Sequence, residues 1–293
     1  MAIDFLIIGH MTQDRVGDGF RPGGAVSYAA VAARRLGRRP GILTRGHIAG
    51  VQANQTQAIA AAASGPGYGP LEGIEIHLLP SEVNTVFDNI YDGDGRRVQV
   101  VESVAEPISP DDLPAAWAGP AIALLGAVAA ELPSSWADAF PHTLLGATAQ
   151  GWLRTWDAEG HVRPAPWRNA GPVLHRADLI VLSREDVRGD QNYIAELAAQ
   201  TRLLVITDGS RGCTVYQEGA AYLIPPRPTR EVDPTGAGDV FTAAFLIRLA
   251  ETGDPLQAAR FANVVASMSV EAPGMAAIPW RSQVEDWQLQ VEN

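Results

Sequence analysis

The 293-residue chain contains no lysine; all 22 of its positive charges are arginine. That excludes any chemistry built on a lysine amine, such as a P-loop phosphate clamp, a Schiff base or the strand lysine of a protein kinase. Phosphate, if handled here, must be met by arginine, backbone N–H groups or a metal. An arginine-rich genome is the simplest origin of the absence. Cysteine occurs once, at Cys213, so neither an intrachain disulfide nor a thiolate zinc cluster can form. The six histidines include no H-x-x-x-H pair. Positive charge is also scarce, 22 residues against 33 acidic ones for a net charge of -11. This argues against nucleic-acid and anionic-membrane partners, which need a broadly basic surface, but permits a local site for a small anion. No apolar run approaches the ~18 residues of a membrane span. Residues 1–10, with Asp4 before a short apolar run, lack the basic start and long apolar core of a signal peptide. The expectation is a soluble cytoplasmic protein.

What remains is ordinary folded material, 46% hydrophobic and 19% charged, with 29 Gly and 21 Pro. The length suits one large core or two unequal domains. Residues 3–9 read as a buried strand, 24–36 as an Ala-rich helix closed by Gly37, 40–45 as a strand and 51–63 as a helix. Further apolar runs at 74–79, 121–125, 143–147, 178–182 and 202–207, with helical segments between most of them, predict a parallel sheet covered on both faces. The stretch 84–103 breaks the alternation. It reads as two strands joined at Asp92-Gly93-Asp94-Gly95, a hairpin standing off the main sheet, to which 10–22 can add edge strands. A second hairpin is expected over 213–217 and 220–224, then helices over 238–251 and 255–270.

The segment with most chemistry is Asp233-Pro234-Thr235-Gly236-Ala237-Gly238-Asp239. A Gly-Ala-Gly turn leads directly into an apolar helix. Small residues let a ligand approach the backbone, and N–H groups at a helix N-terminus form an anion hole suited to phosphate. A carboxylate beside such a hole repels resting phosphate, so Asp239 needs a reason to be there. One is that it takes the proton of a hydroxyl attacking phosphorus. The simpler alternative is that Thr235 caps the helix while Asp239 complements its dipole.

This segment resembles the C-terminal signature of the ribokinase family, the PfkB-type carbohydrate and nucleoside kinases, and other motifs agree with it in order. Arg21-Pro22-Gly23-Gly24-Ala25-Val26-Ser27 is similar to the family's Gly-Gly motif, and Asp14 matches its acidic contact to substrate hydroxyls. Residues 84–101 match its lid strands, and Thr207-Asp208-Gly209-Ser210-Arg211-Gly212 matches its nucleotide turn. Asn263 falls where the purine is flanked. The resemblance covers about residues 3–280. It implies one α/β domain over 1–293, a three-layer α/β/α sandwich with a mostly parallel sheet and a small β-lid from about 10–22 and 84–103. It implies ATP and Mg2+, with Asp239 as general base and the N–H groups of Gly236, Ala237 and Gly238 stabilising the transferred group. Asp233 and Thr235 match the positions of a monovalent-cation site, implying K+. Substrate contacts would come from Asp14, Gly23, Gly24 and Ser27; nucleotide contacts from Ser183, Thr207, Gly209, Gly212 and Asn263.

The departures narrow the substrate. The family's Asn-x-x-Glu motif, which organises Mg2+ through water, is here Ser183-Arg184-Glu185-Asp186, so that Asp186 replaces glutamate. Ala25 and Tyr28 replace a lysine and an asparagine that ribokinases use, which argues against ribose; Tyr28 either stacks on a ligand ring or packs in the core. Ala149-Gln150-Gly151-Trp152-Leu153-Arg154 and the turn at 157–160 are similar to the inositol-kinase-like branch, with Gln150 placed for a polyol and Arg154 for phosphate. The expectation is an ATP-dependent kinase for a hydroxyl of a small sugar or cyclic polyol. A nucleoside kinase and a non-catalytic binding protein of this fold stay open, and the lid edge permits a homodimer.

Overall fold

The computed structural model describes residues 2–16, 19–48, 50–58, 69–91 and 97–292. Strand β1 (Phe5–Ile8) is buried on both faces, with Phe5 and Ile7 in one hydrophobic cluster and Leu6 and Ile8 in another. A strand between two covering layers must be apolar throughout in this way. After β2 (Thr12–Val16) and β3 (Gly19–Gly23), helix α1 (Ala25–Arg35) leads to β4 (Pro40–Gly46), parallel to β1. The chain continues through β5 (Thr56–Ala58), β6 (Glu75–Pro80), β7 (Val86–Tyr91), β8 (Arg97–Ser103), β9 (Ile122–Leu125) and β10 (Leu144–Thr148). A small hairpin, β11 (Arg154–Trp156) and β12 (Val162–Pro164), precedes α2 (Gly171–Arg176), β13 (Leu179–Ser183), α3 (Gln191–Gln200) and β14 (Leu204–Thr207). The hairpin β15 (Cys213–Gln217) and β16 (Ala220–Ile224) is followed by α4 (Ala237–Thr252), α5 (Pro255–Ser269) and α6 (Arg281–Glu292).

The main sheet runs β16-β15-β14-β13-β10-β9-β1-β4-β6-β5, parallel from β14 to β6 and antiparallel at both edges. One face is covered by α1, α4, α5 and, through Val284, α6; the other takes Val173 and Leu174 of α2 and Ile194 and Leu197 of α3. This is the expected layered fold, with two local corrections. Residues 51–58 are not helical: 56–58 form the edge strand β5, where the Thr56 hydroxyl meets the His77 ring at 3.0 Å, and 59–63 lie outside the described residues. Pairing with β6 there overrides the helix propensity of the neighbouring alanines. Between β9 and β10 only a 3-10 turn, Ser134–Asp138, covers the sheet. It does so with Trp136, fully buried and donating its indole N–H to the Ile108 carbonyl at 2.9 Å. No helix of the described residues is long and apolar enough to cross a membrane.

The lid is a separate four-stranded sheet in the order β3-β2-β7-β8, from the two segments expected. Its expected turn, Asp92 to Gly95, lies outside the described residues. Phe87 and Val101 pack the lid onto Ala25, Val128 and Ala129 of the body. The root is polar and buried. His10 meets the Thr85 hydroxyl at 2.7 Å and the Glu106 carbonyl at 3.0 Å, and its N–H donates to Glu131. The buried Glu131 carboxylate also accepts the N–H groups of Val128 and Ala129, which fixes the loop after β9 to the exit of β1.

Candidate active site

The parallel strands finish at one edge of the sheet, where ligands of open α/β folds bind. The loops leaving that edge carry the residues singled out from the sequence. Gly236 caps α4 in the left-handed region, at φ 76°. It has a second reason to be glycine: the Tyr28 ring from α1 fills the space a Cβ would take. Tyr28 is 3% exposed, so it packs in the core. Its phenol is pushed well above the usual range by burial, then by Asp14 and Asp233. The turn so fixed leaves the N–H groups of Gly236 and Gly238 without a partner among the described residues, whereas the Ala237 N–H donates to the Pro234 carbonyl at 3.1 Å. Two of the three expected donors are therefore not taken up by the described residues.

Asp239 sits in the first turn of α4, half-buried. Loss of solvation pushes its carboxyl up to about 7; Arg154 pulls downward and Asp186 adds to the rise. Arg154, at the start of β11, and Asp186, in the turn after β13, thus both lie close enough to act on Asp239 of α4. The Asp186 carboxylate accepts the Ser183 N–H at 2.8 Å and the Gln150 side-chain amide at 3.2 Å. Gln150 contacts Asp186, then, where the sequence suggested a substrate hydroxyl. The Ser183 hydroxyl accepts the Glu185 N–H at 3.1 Å and closes the turn. Both of these partners are neutral N–H donors, and a carboxylate so placed fits a hydrated Mg2+.

On the lid side, Asp14 of β2 accepts the Thr12 hydroxyl at 2.9 Å and lies where a Cβ on Gly23 would stand. Gly24 caps α1 directly over the His10 carbonyl. Ser27 behaves differently from its sequence reading: it is fully buried, and its hydroxyl donates back to the Gly23 carbonyl at 2.6 Å, locking the glycine turn. On the other flank, Ser183, Glu185, Asp208, Gly209, Ser210, Arg211 and Glu231 line a polar cleft of about 250 Å³. Thr207 ends β14 beside Ser183, and Gly212 closes the turn against the Ile224 carbonyl. Asp208 pairs with Arg184 at 2.8 Å and Arg211 at 2.5 Å; the hydrogen bond from Arg211 outweighs desolvation and holds the carboxyl below its usual range. Asn263 is buried, and its amide donates to the carbonyls of Ile224 and Pro225 at 3.1 and 3.0 Å, tying α5 to the end of β16.

The expected monovalent-cation site does not fit. Asp233 Oδ1 accepts the Thr235 N–H at 3.0 Å, and Oδ2 accepts the Gly274 N–H at 2.8 Å with an Arg21 guanidinium nitrogen 3.5 Å away. Desolvation raises the carboxyl, but the Thr235 hydroxyl, these N–H groups and Arg21 outweigh it and hold Asp233 below its usual range. Arg21, Gly274 and Glu231 were not singled out for any role from sequence. Nothing local marks them, since their parts follow from chain crossings 40 or more residues apart.

Residues 177–281 match the model of the pfkB family carbohydrate kinases. An inositol 3-kinase of Arabidopsis thaliana is 27% identical over 210 residues, 67% of this chain and 58% of that protein. A ribokinase of Bacillus subtilis is 44% identical over 91 residues, 31% of each chain. The matches thus span less than two thirds of these relatives. Among solved structures, a pyrophosphate-dependent kinase in the ribokinase family, in complex with sulfate, superposes with a TM-score of 0.77 at 22% identity over 96% of this chain and 99% of the other. Arabidopsis thaliana ribokinase with ribose and ATP gives 0.70 at 18% identity over 98% of each. Fold, motif order and family match point the same way: residues 177–281 are similar to the pfkB family carbohydrate kinases, and the chain has a ribokinase-like fold.

Proposed function

We propose that the protein transfers a phosphoryl group to a hydroxyl of a small sugar or cyclic polyol of the inositol type. The observation that carries this reading is the placing of Asp239, its carboxyl near 7, beside the N–H groups of Gly236 and Gly238. A carboxylate with that affinity for protons is matched to a base working at neutral pH. The acceptor hydroxyl loses its proton to Asp239 while its oxygen forms the new bond to phosphorus, and the bond to the leaving phosphate breaks in line. The two N–H groups meet the charge on the transferred group; donors of this kind contribute about 3 kcal/mol each to lowering a barrier. Arg154, close enough to act on Asp239, holds the phosphate side of the reaction. Asp186 would hold Mg2+ through water, and that ion would neutralise charge on the donor phosphates. Asp14, against Gly23 on the lid, would bind acceptor hydroxyls as the lid excludes water.

The donor in this reading is ATP, held over the Thr207–Gly212 turn. Pyrophosphate is a second reading, favoured by the short polar cleft of about 250 Å³ at that turn and by the pyrophosphate-dependent kinases among the structural neighbours. One experiment separates them: phosphoryl transfer from Mg-ATP and from Mg-pyrophosphate, measured for myo-inositol, ribose, fructose, 2-keto-3-deoxygluconate and nucleosides. Transfer to a cyclitol or sugar supports the proposal, and the better donor decides between the readings. Transfer to nucleosides alone moves the acceptor class. Ligand binding with no transfer from either donor contradicts kinase activity.

A further inference from the structure

The Asp233 carboxylate presents no face for a metal ion. Its oxygens meet the N–H groups of Thr235 and Gly274 and the guanidinium of Arg21. Every group named is a hydrogen-bond donor, and one is a full positive charge, so a second cation there would be repelled. The arginine is not a casual surface contact. It lies across Gly274, at φ 60°, where a Cβ would stand 2.9 Å from its nitrogen. Its carboxylate partner is half-buried, which preserves more of the attraction than a fully exposed pair keeps. Its strand is also informative. Arg21 belongs to lid strand β3 and sits opposite Asp14 in the β2–β3 register. It therefore links the lid, with its acceptor carboxylate, to the turn that aims the Gly236 and Gly238 N–H groups.

We propose that Arg21 is a positioning residue that supplies from the lid, as part of the protein, the positive charge at Asp233, and that the protein is consequently indifferent to potassium. The activity arm below rests on the kinase reading; the stability arm does not. The thermal midpoint is measured in potassium chloride and in tetramethylammonium chloride at equal ionic strength. The wild type gives the same midpoint in both salts, whereas Arg21→Ala, with Asp233 freed, is raised by potassium alone as the ion binds the native state. In the transfer assay, wild-type kcat changes less than about twofold between the salts. Arg21→Ala loses about tenfold in kcat with donor KM little changed, and potassium recovers most of the loss. Arg21→Lys restores potassium indifference, and Arg21→Gln replaces the alanine variant if that fails to fold. A wild type stabilised or activated severalfold by potassium overturns the proposal. So do Arg21→Ala and Arg21→Gln variants that respond to the two salts alike in stability. Absence of transfer in every salt, with the stability pattern as described, contradicts the kinase reading alone.

Discussion

At the scale of single residues, the proposed chemistry turns on the environment of Asp239. Its carboxyl is near 7 because burial disfavours the charge, with Arg154 opposing and Asp186 adding. A base must be unprotonated to act, so kcat/KM is expected to rise about tenfold per pH unit below that value and level off above it. Removing the Arg154 charge by Arg154→Gln shifts this limb to higher pH, while Asp186→Asn shifts it lower, as a pH–rate series would show. The same group affects stability with a definite sign. Its native value lies above the ordinary 3.8, so the native state binds the proton more tightly. Stability is therefore fullest at low pH and falls as pH rises from about 4 to about 7. An Asn at 239 removes the cost of the buried charge, so the thermal midpoint of Asp239→Asn should exceed that of the wild type by roughly 4 °C at pH 8 and match it near pH 4. Much of this residue set was legible in the sequence, because Gly236, Gly238 and Asp239 are adjacent in the chain and their chemistry is local. What was not legible depends on distant partners. Ser27 and Gln150 have hydroxyl and amide groups that could serve a ligand, and only the packing shows that Gly23 and Asp186 receive them.

At the scale of elements, the junction of α1 and α4 holds the anion hole in shape. The Tyr28 ring occupies the space beside Gly236, and the residue itself is left-handed. Gly236→Ala is expected to cost about 2–4 kcal/mol, combining backbone strain with overpacking, and to abolish transfer. Adding Tyr28→Ala relieves the clash but not the strain, so urea unfolding of the double variant should show less than additive loss. Elements with strong local patterning were readable. The strands at 5–8 and 122–125 are continuous apolar runs, that at 179–183 is one up to Ser183, and α4 and α5 are long. The segment 51–58 was not, because an Ala-rich stretch favours helix until a sheet edge claims part of it. Helix α6 went unread for the opposite reason: it is polar for most of its length and joins the core mainly through Val284.

At the scale of the whole molecule, the four-stranded sheet is the element that bears on association. The sequence pattern indicated a two-strand hairpin over 84–103 through its Asp-Gly signal and allowed further edge strands at 10–22, but did not show which face would be covered. The inner face buries Phe87 and Val101; the outer face carries Arg15 paired with Glu102 at 2.9 Å and stacked over Phe20. Burying that charged face in a lid-to-lid dimer would desolvate an ion pair with little apolar area in return. The chain is accordingly expected to run as a monomer of 31.1 kDa in light scattering; twice that mass would show that the lid pairs after all. The claim beneath all of this is that the α4 N-terminus is a phosphoryl-transfer site with Asp239 as its base. The most direct test is phosphorus NMR of wild type and Asp239→Asn, each incubated with the same donor, Mg2+ and cyclitol acceptor. The wild type is expected to give a new phosphomonoester signal, and the variant, which stays folded, to form it at least a hundredfold more slowly. A variant that forms the ester at more than a tenth of the wild-type rate would contradict the assignment.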